Sequence, residues 1–212
     1  MRVTVFGASG KIGRLVVDRL LDDGNEVLAY VRDPAGIPWS HTRLTVAVGE
    51  LADSAAIRRA VSGSAGVISA LGPARRRSTG GTALTDGTRT IVAAMDVEGV
   101  RRYVGLATPV VPDRRDGRTL RATLLPLIAK VRYPGALREI RGMTAAVTGS
   151  DLDWTIVRIN NPVDRPGTGT LRVGFLGRDK LFATMTRTDI AAFLITQLTD
   201  TTFVHAAPAI SN

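Results

Sequence analysis

The segment RVTVFGASGKIGRLVVDRLLDDGNEVLAYVRDP, residues 2–34, sets Gly7, Gly10 and Gly13 between an apolar run and an amphipathic run. The β-branched content of Val3–Phe6 predicts a buried strand, and Ile12, Leu15, Val16 and Leu20 recur at helical spacing through Lys11–Asp23. Asp22-Asp23-Gly24 is the stop signal of that helix. A G-x-x-G-x-x-G run directly after a strand and opening a helix is a phosphate cradle. Gly7 permits the tight turn, Gly10 lets a pyrophosphate approach the backbone, and Gly13 allows helix and strand to touch. The helix end presents unpaired N–H groups and a partial positive charge to the phosphates. The plain alternative is a glycine turn with no ligand.

The alternation continues. Strands are predicted at Glu26–Arg32, Leu44–Val48, Gly66–Ala70 and Arg102–Ala107, with helices at Asp53–Ser62 and Ala83–Asp96 between them. This rhythm predicts an α/β chain: one Rossmann-type domain over residues 1–212, its parallel sheet covered by helices on both faces. After Ala107 the rhythm breaks. Residues 108–135 carry four prolines and the charge cluster Arg114-Arg115 before helical spacing returns. A helix follows at Ala136–Thr148, a sixth strand at Asp153–Arg158 and a short strand at Thr170–Gly174. The last helix, Thr188–Leu198, is capped by Thr188 or Thr186, and Phe203–His205 reads as a final strand.

Composition narrows the function classes. No cysteine is present, which excludes disulfides, thiolate metal sites and cysteine nucleophiles. His41 and His205 stand far apart without partners at metal-ligand spacing, so no metal site is expected. No apolar stretch reaches membrane-spanning length and the N-terminus lacks a signal-peptide layout, so a cytoplasmic protein with no membrane partner is expected. The net charge of +9 invites a nucleic-acid reading. Against it, only Lys11, Lys130 and Lys180 of the 28 basic residues are lysines, the arginines are scattered, and aromatics are 5%. The clusters Arg75-Arg76-Arg77 and Arg114-Arg115 read as solvated loop charge or as a grip on a small anion, and no nucleic-acid partner is expected.

The end of the second strand, AYVRDP, speaks to the kind of dinucleotide. An acid there accepts the ribose 2′-hydroxyl of NAD, whereas an arginine suits a 2′-phosphate. Asp33 is open to the first reading, but Pro34 fixes a turn immediately after it, and Arg32 favours NADPH.

Several segments together resemble the atypical short-chain dehydrogenase/reductases, within the NAD(P)H-binding, NmrA-like group that includes flavin reductase (biliverdin-IXβ reductase). They are FGASGKIG (6–13), VR (31–32), SALG (69–72), GTRTIVAAMDVEGVRRYV (87–104), SDLDWTIVR (150–158), PGTGTLRV (166–173) and MTRTDIAAFLITQL (185–198). The resemblance implies that Gly7, Ser9, Gly10, Lys11 and Ile12 line the pyrophosphate and that Arg32 holds the 2′-phosphate. It places Glu50 and Leu51 of GELAD, where relatives carry an aspartate, beside the adenine, and Ala70, Leu71 and Gly72 over the adenosine. It puts Thr108, where relatives have a serine, near the nicotinamide as the candidate catalytic hydroxyl. Asn160 and Asn161 should flank the nicotinamide, although the usual Arg-Pro is Arg158-Ile159 here.

The Tyr-x-x-x-Lys pair of ordinary superfamily members is absent: the fourth residue after Tyr30 is Pro34, after Tyr103 is Ala107, and after Tyr133 is Leu137. Two readings stay open. One is an NADPH-dependent reductase of a small conjugated or aromatic acceptor, flavin-, quinone- or specialised-metabolite-like, in which the cofactor carries the chemistry. The other is a redox sensor that binds the dinucleotide without turnover. A monomer or homodimer is expected. Residues 109–135 read either as a substrate lid, with Leu120, Leu124, Leu125, Leu127 and Ile128 roofing an apolar pocket, or as a packed surface helix. Trp39 and His41 read as loop residues, Trp154 as core and His205 as structural.

Overall fold

Alternation along β1 (Arg2–Phe6) sends Val3 and Val5 into one apolar layer and Phe6 into the other, so the strand needs cover on both sides. The computed structural model, which describes residues 1–73, 81–117, 133–182 and 184–212, supplies it. Five helices are seen among these residues: α1 (Lys11–Asp22), α2 (Ser54–Val61), α3 (Ala83–Val97), α4 (Pro134–Thr148) and α5 (Arg187–Thr196). Helices α1 and α5 pack together on one side, and α2, α3 and α4 follow one another on the other.

The remaining strands are β2 (Glu26–Val31), β3 (Leu44–Val48), β4 (Gly66–Ser69), β5 (Arg102–Ala107), β6 (Asp153–Ile159), β7 (Pro162–Val163), β8 (Arg172–Gly174), β9 (Met185–Thr186) and β10 (Ala209–Ser211). Eight form one sheet in the order β3-β2-β1-β4-β5-β6-β10-β8, parallel except for the β10–β8 pair, while β7 and β9 make a separate parallel pair. The order reverses between β1 and β4. In open α/β sheets the crevice at that reversal, beyond the carboxyl ends of the strands, is where ligands sit. The fold is the Rossmann type read from the alternation.

Helix α1 buries Val16, Val17, Leu20 and Leu21 against the sheet. Each such side chain contributes about 1.5–3 kcal/mol relative to exposure. The helix ends at Asp23, and Gly24 turns the chain with φ +81°, a conformation that favours glycine. At α5 the cap is Thr186, whose hydroxyl accepts the Asp189 N–H, and not Thr188. Phe203–His205 is not a strand. Val204 and Ala206 close turns onto Thr201 and Phe203, and His205 takes φ +54°. The last strand of the sheet is β10, four residues further on. Trp154 is half-buried at the margin of the core and not within it.

Candidate functional site

The glycine loop leaves β1 at Gly7, φ +74°. A β-carbon there would lie 2.9 Å from the Ala70 carbonyl carbon and 3.0 Å from the Leu71 nitrogen, so only glycine lets the loop touch the end of β4. Gly10 caps α1 with extended backbone, φ −75° and ψ 164°. No side chain caps that end and no acid stands in its first turn, so its N–H groups stay available to an external anion. A β-carbon at Gly10 would meet only the Gly7 carbonyl oxygen, 3.2 Å away. The space over Gly10 is therefore open, while a β-carbon at Gly13 would overlap the Gly7 carbonyl oxygen.

The end of β2 is brought to the same loop. After Arg32 the chain makes a 3-10 turn, Pro34–Gly36, and a β-carbon on Gly36 would lie 2.5 Å from that of Ser9. The Asp33 carboxylate accepts the Ala35 N–H at 2.9 Å and so caps this turn. Arg32 is exposed and makes no ion pair among the described residues. On the neighbouring strand end, the Tyr30 hydroxyl donates to the Glu50 carbonyl at 2.9 Å, and Leu51 packs on Gly87 of α3. Gly72 has open space around it. Gly7, Ser9, Gly10, Ile12, Arg32, Ala70, Leu71 and Gly72 thus gather at the β1–β4 reversal.

Lys11 behaves differently. Its ammonium pairs with Asp164 at 2.8 Å, and Arg187 meets the same carboxylate. Hydrogen bonds from Lys11 and Arg187 hold the Asp164 carboxyl below the usual range. This pairing ties the chain after β7 to the first turn of α1.

Thr108 stands just beyond β5, half-buried, with its carbonyl accepting the Val111 N–H at 3.0 Å and its hydroxyl unbonded among the described residues. Asn160 and Asn161 are exposed, and Asn161 turns the chain out of β6 with φ +37°. Of the tyrosines, Tyr103 is buried and burial pushes its hydroxyl up to about 12, whereas Tyr133 is exposed. In the segment 109–135, residues 118–132 lie outside the described ones, together with Arg75-Arg76-Arg77 and all five leucine and isoleucine positions of the lid reading. No three histidine, aspartate or glutamate side chains converge among the described residues.

Sequence reasoning missed an ion pair that holds the loop after β5. Arg158, inside β6 and fully buried, donates to both oxygens of Asp116 at 2.6 and 2.8 Å and to the Val111 carbonyl at 3.0 Å. Asp116 also accepts the N–H groups of Asp113 and Leu176. Burial alone would raise the Asp116 carboxyl, but these donors and the Arg158 charge outweigh it and hold it below the usual range. Asp113 in turn accepts the Ala207 N–H at 2.7 Å. The loop after β5 is thereby fastened across β6. The available signal was an arginine in the otherwise apolar run TIVRI, which demands a buried counter-charge.

A doubly wound sheet with an uncapped helix end and an open glycine turn at the strand-order reversal is the arrangement of dinucleotide-binding proteins. The chain belongs to the NAD(P)H-binding family, whose sequence pattern matches residues 7–201. It is 30% identical over 212 residues to the "UPF0659 protein YMR090W" of Saccharomyces cerevisiae, covering 93% of this chain and 87% of that one. It is also 34% identical over 119 residues to a 3-beta-hydroxysteroid dehydrogenase of Mycolicibacterium neoaurum, covering 50% of this chain and only 32% of that protein. Among solved structures, a Veillonella parvula short-chain dehydrogenase/reductase in complex with NADP superposes with TM-score 0.80 at 19% identity, covering 100% of this chain and 94% of that one. The anaerobillin reductase ChuY of Escherichia coli O157:H7 superposes with TM-score 0.73 at 19% identity, covering 100% and 97%. The NAD(P)H-binding family and the Rossmann-type fold read from the motifs both hold. No helix among the described residues is long and apolar enough to cross a membrane.

Proposed function

We propose that this chain is an NADPH-dependent reductase of a small conjugated or aromatic acceptor. The observation that carries the reading is the uncapped α1 end beneath an open Gly10, with Arg32 at the end of β2 exposed and making no ion pair among the described residues. Gly7, Ser9, Gly10 and Ile12 would hold the pyrophosphate, and Arg32 the 2′-phosphate. Glu50, Leu51, Ala70, Leu71 and Gly72 would border the adenosine, and Asn160 the nicotinamide. Lys11 would join the pyrophosphate only by leaving Asp164. Arg32 at the end of β2 favours the 2′-phosphate over the ribose hydroxyl, while Asp33 spends one carboxylate oxygen on capping its turn. The reduced dinucleotide supplies a hydride, so the protein's part is to hold an acceptor ring against it and exclude water. Relatives named as reductases support this class, as does the NADP complex of a similar fold. NADPH oxidation measured with a panel of flavins and quinones, beside a binding titration, tests it. Turnover supports the reductase.

The second reading, a dinucleotide-binding sensor, is favoured by one observation. The Thr108 hydroxyl has no activating partner among the described residues. Tight NADPH binding with no turnover across the panel would establish that reading instead.

Arg32→Ala should weaken NADPH by about 1.5–3 kcal/mol, the worth of a charge-assisted bond, and NADH far less. Equal losses for both cofactors in paired titrations would refute the 2′-phosphate role. Thr108→Val should lower kcat about tenfold, equivalent to about 1.4 kcal/mol, because an unactivated hydroxyl orients better than it protonates. Tyr103→Phe should leave turnover intact. A Tyr133→Phe protein that binds NADPH but does not turn over would replace Thr108 with a tyrosine acid.

A further inference from the structure

A groove of about 550 Å³ runs between the C-terminal half of α4 and the turn that precedes β10, a volume suited to a small organic molecule. Trp154 forms part of its wall, at the opposite end of β6 from Asn160, six residues or about 20 Å away. Three strand positions separate β6 from the glycine loop on β1. The groove is therefore distinct from the dinucleotide cradle.

Its walls carry a specific chemistry. The rings of Trp154 and His205 pack on each other at 5.7 Å with a 50° tilt, forming a continuous aromatic wall. His205 is held there at φ +54°, with its ring Nε2 donating to the Leu152 carbonyl at 3.0 Å and its main-chain N–H bonded to the Trp154 carbonyl. Positive φ at a residue other than glycine is a strained conformation of the kind that concentrates at ligand sites. Across the groove stand Asp113 and Arg114. The Asp113 carboxylate is already engaged by two main-chain N–H groups and by the Arg115 guanidinium at 3.8 Å. Arg114 is exposed and has no ion-pair partner among the described residues. The facing stripe of α4 offers the Thr144 and Thr148 side chains and no acid.

We propose that this groove binds a planar aromatic carboxylate, its ring against the Trp154–His205 wall and its charge on Arg114. The proposal stands apart from the dinucleotide reading, because none of its residues belongs to the cradle. It also adds a consequence for the β5 loop: the ligand would be held by Arg114, within the segment that Asp116 fastens over Arg158.

The chain has two tryptophans, so Trp39→Phe leaves Trp154 as the only indole emitter. Titrating that variant with para-nitrobenzoate should quench its emission saturably, with affinity about fivefold above that of the neutral para-nitrobenzamide, the worth of one exposed ion pair. Arg114→Ala should erase the difference between the two probes. Thr148→Phe, at an exposed rim position, should abolish saturable quenching while the melting temperature holds. Saturating NADP⁺ and the change Gly10→Val should leave the titration unaltered. Linear, collisional quenching, equal affinity for the two probes, or displacement by NADP⁺ would each overturn the proposal.

Discussion

Asp116→Ala is expected to lower the free energy of unfolding by about 3–5 kcal/mol, because it leaves the fully buried Arg158 guanidinium without its counter-charge. Denaturant unfolding of the two proteins at neutral pH measures this. The double variant Asp116→Leu with Arg158→Met should recover only part of the loss. It removes the stranded charge, but the Asp113 and Leu176 N–H groups still lose their acceptor, at about 1–3 kcal/mol for each that stays buried. The pH dependence follows from the direction of the Asp116 shift. Its folded-state value lies below the unfolded one, so the unfolded chain binds the proton more readily. The contribution is fully present above about pH 3.9, the ordinary aspartate value, and is lost as pH falls through the lower folded-state value. The gap between parent and Asp116→Ala should therefore close in strong acid. A gap of under 1 kcal/mol at neutral pH would mean that Arg158 finds other compensation.

Gly10→Val should reduce dinucleotide affinity at least about 100-fold, or about 2.7 kcal/mol, while the fold survives. The two effects separate because the obstruction is to the ligand and not to the protein. The Gly10 backbone lies in the extended region, which valine adopts readily, and an added β-carbon meets only one carbonyl oxygen. The neighbouring glycines differ. A side chain on Gly7 is strained at φ +74° and collides with Ala70, and one on Gly13 overlaps the Gly7 carbonyl. Those variants should fail by unfolding. A titration in which Gly10→Val retains parental affinity for NADPH would place the dinucleotide elsewhere.

What could be read in advance divides by distance along the chain. The cradle is local: strand, glycines and helix occupy consecutive residues, and their spacing alone states the geometry. The parallel sheet was legible for the same reason, through the recurring change from strand to helical periodicity. The Arg158–Asp116 pair joins residues 42 positions apart and Lys11–Asp164 joins residues 153 apart; the apolar run around Arg158 signals a counter-charge, but no local pattern says which acid supplies it. Lys11 shows the same limit: its place in the motif says nothing of its exposed ion pair with Asp164. The final strand was misplaced because Phe203–His205 has the apolar, β-forming composition of a strand, yet successive turns consume its main-chain bonds. The true strand is only three residues long and is held by its neighbours on both sides more than by its own pattern.

That short strand has a consequence for the order in which the molecule assembles. Strands β1 to β6 can pair as each emerges during synthesis, since every partner in that half of the sheet is already made. Strand β8 cannot. It reaches the sheet only through β10, so Arg172–Gly174 must wait for Ala209–Ser211. The excursion between β6 and β10 carries Asp164, which grips Lys11 beside the glycine loop, and Asp189, which gathers the Thr168 and Gly169 N–H groups. A nascent chain lacking its last few residues can thus complete the cradle while the excursion beside it is still without its edge-strand anchor. Closing that long loop costs entropy that only the final pairing returns. In this architecture the first residues synthesised shape the cradle, and the last ones decide when the wall beside it stands.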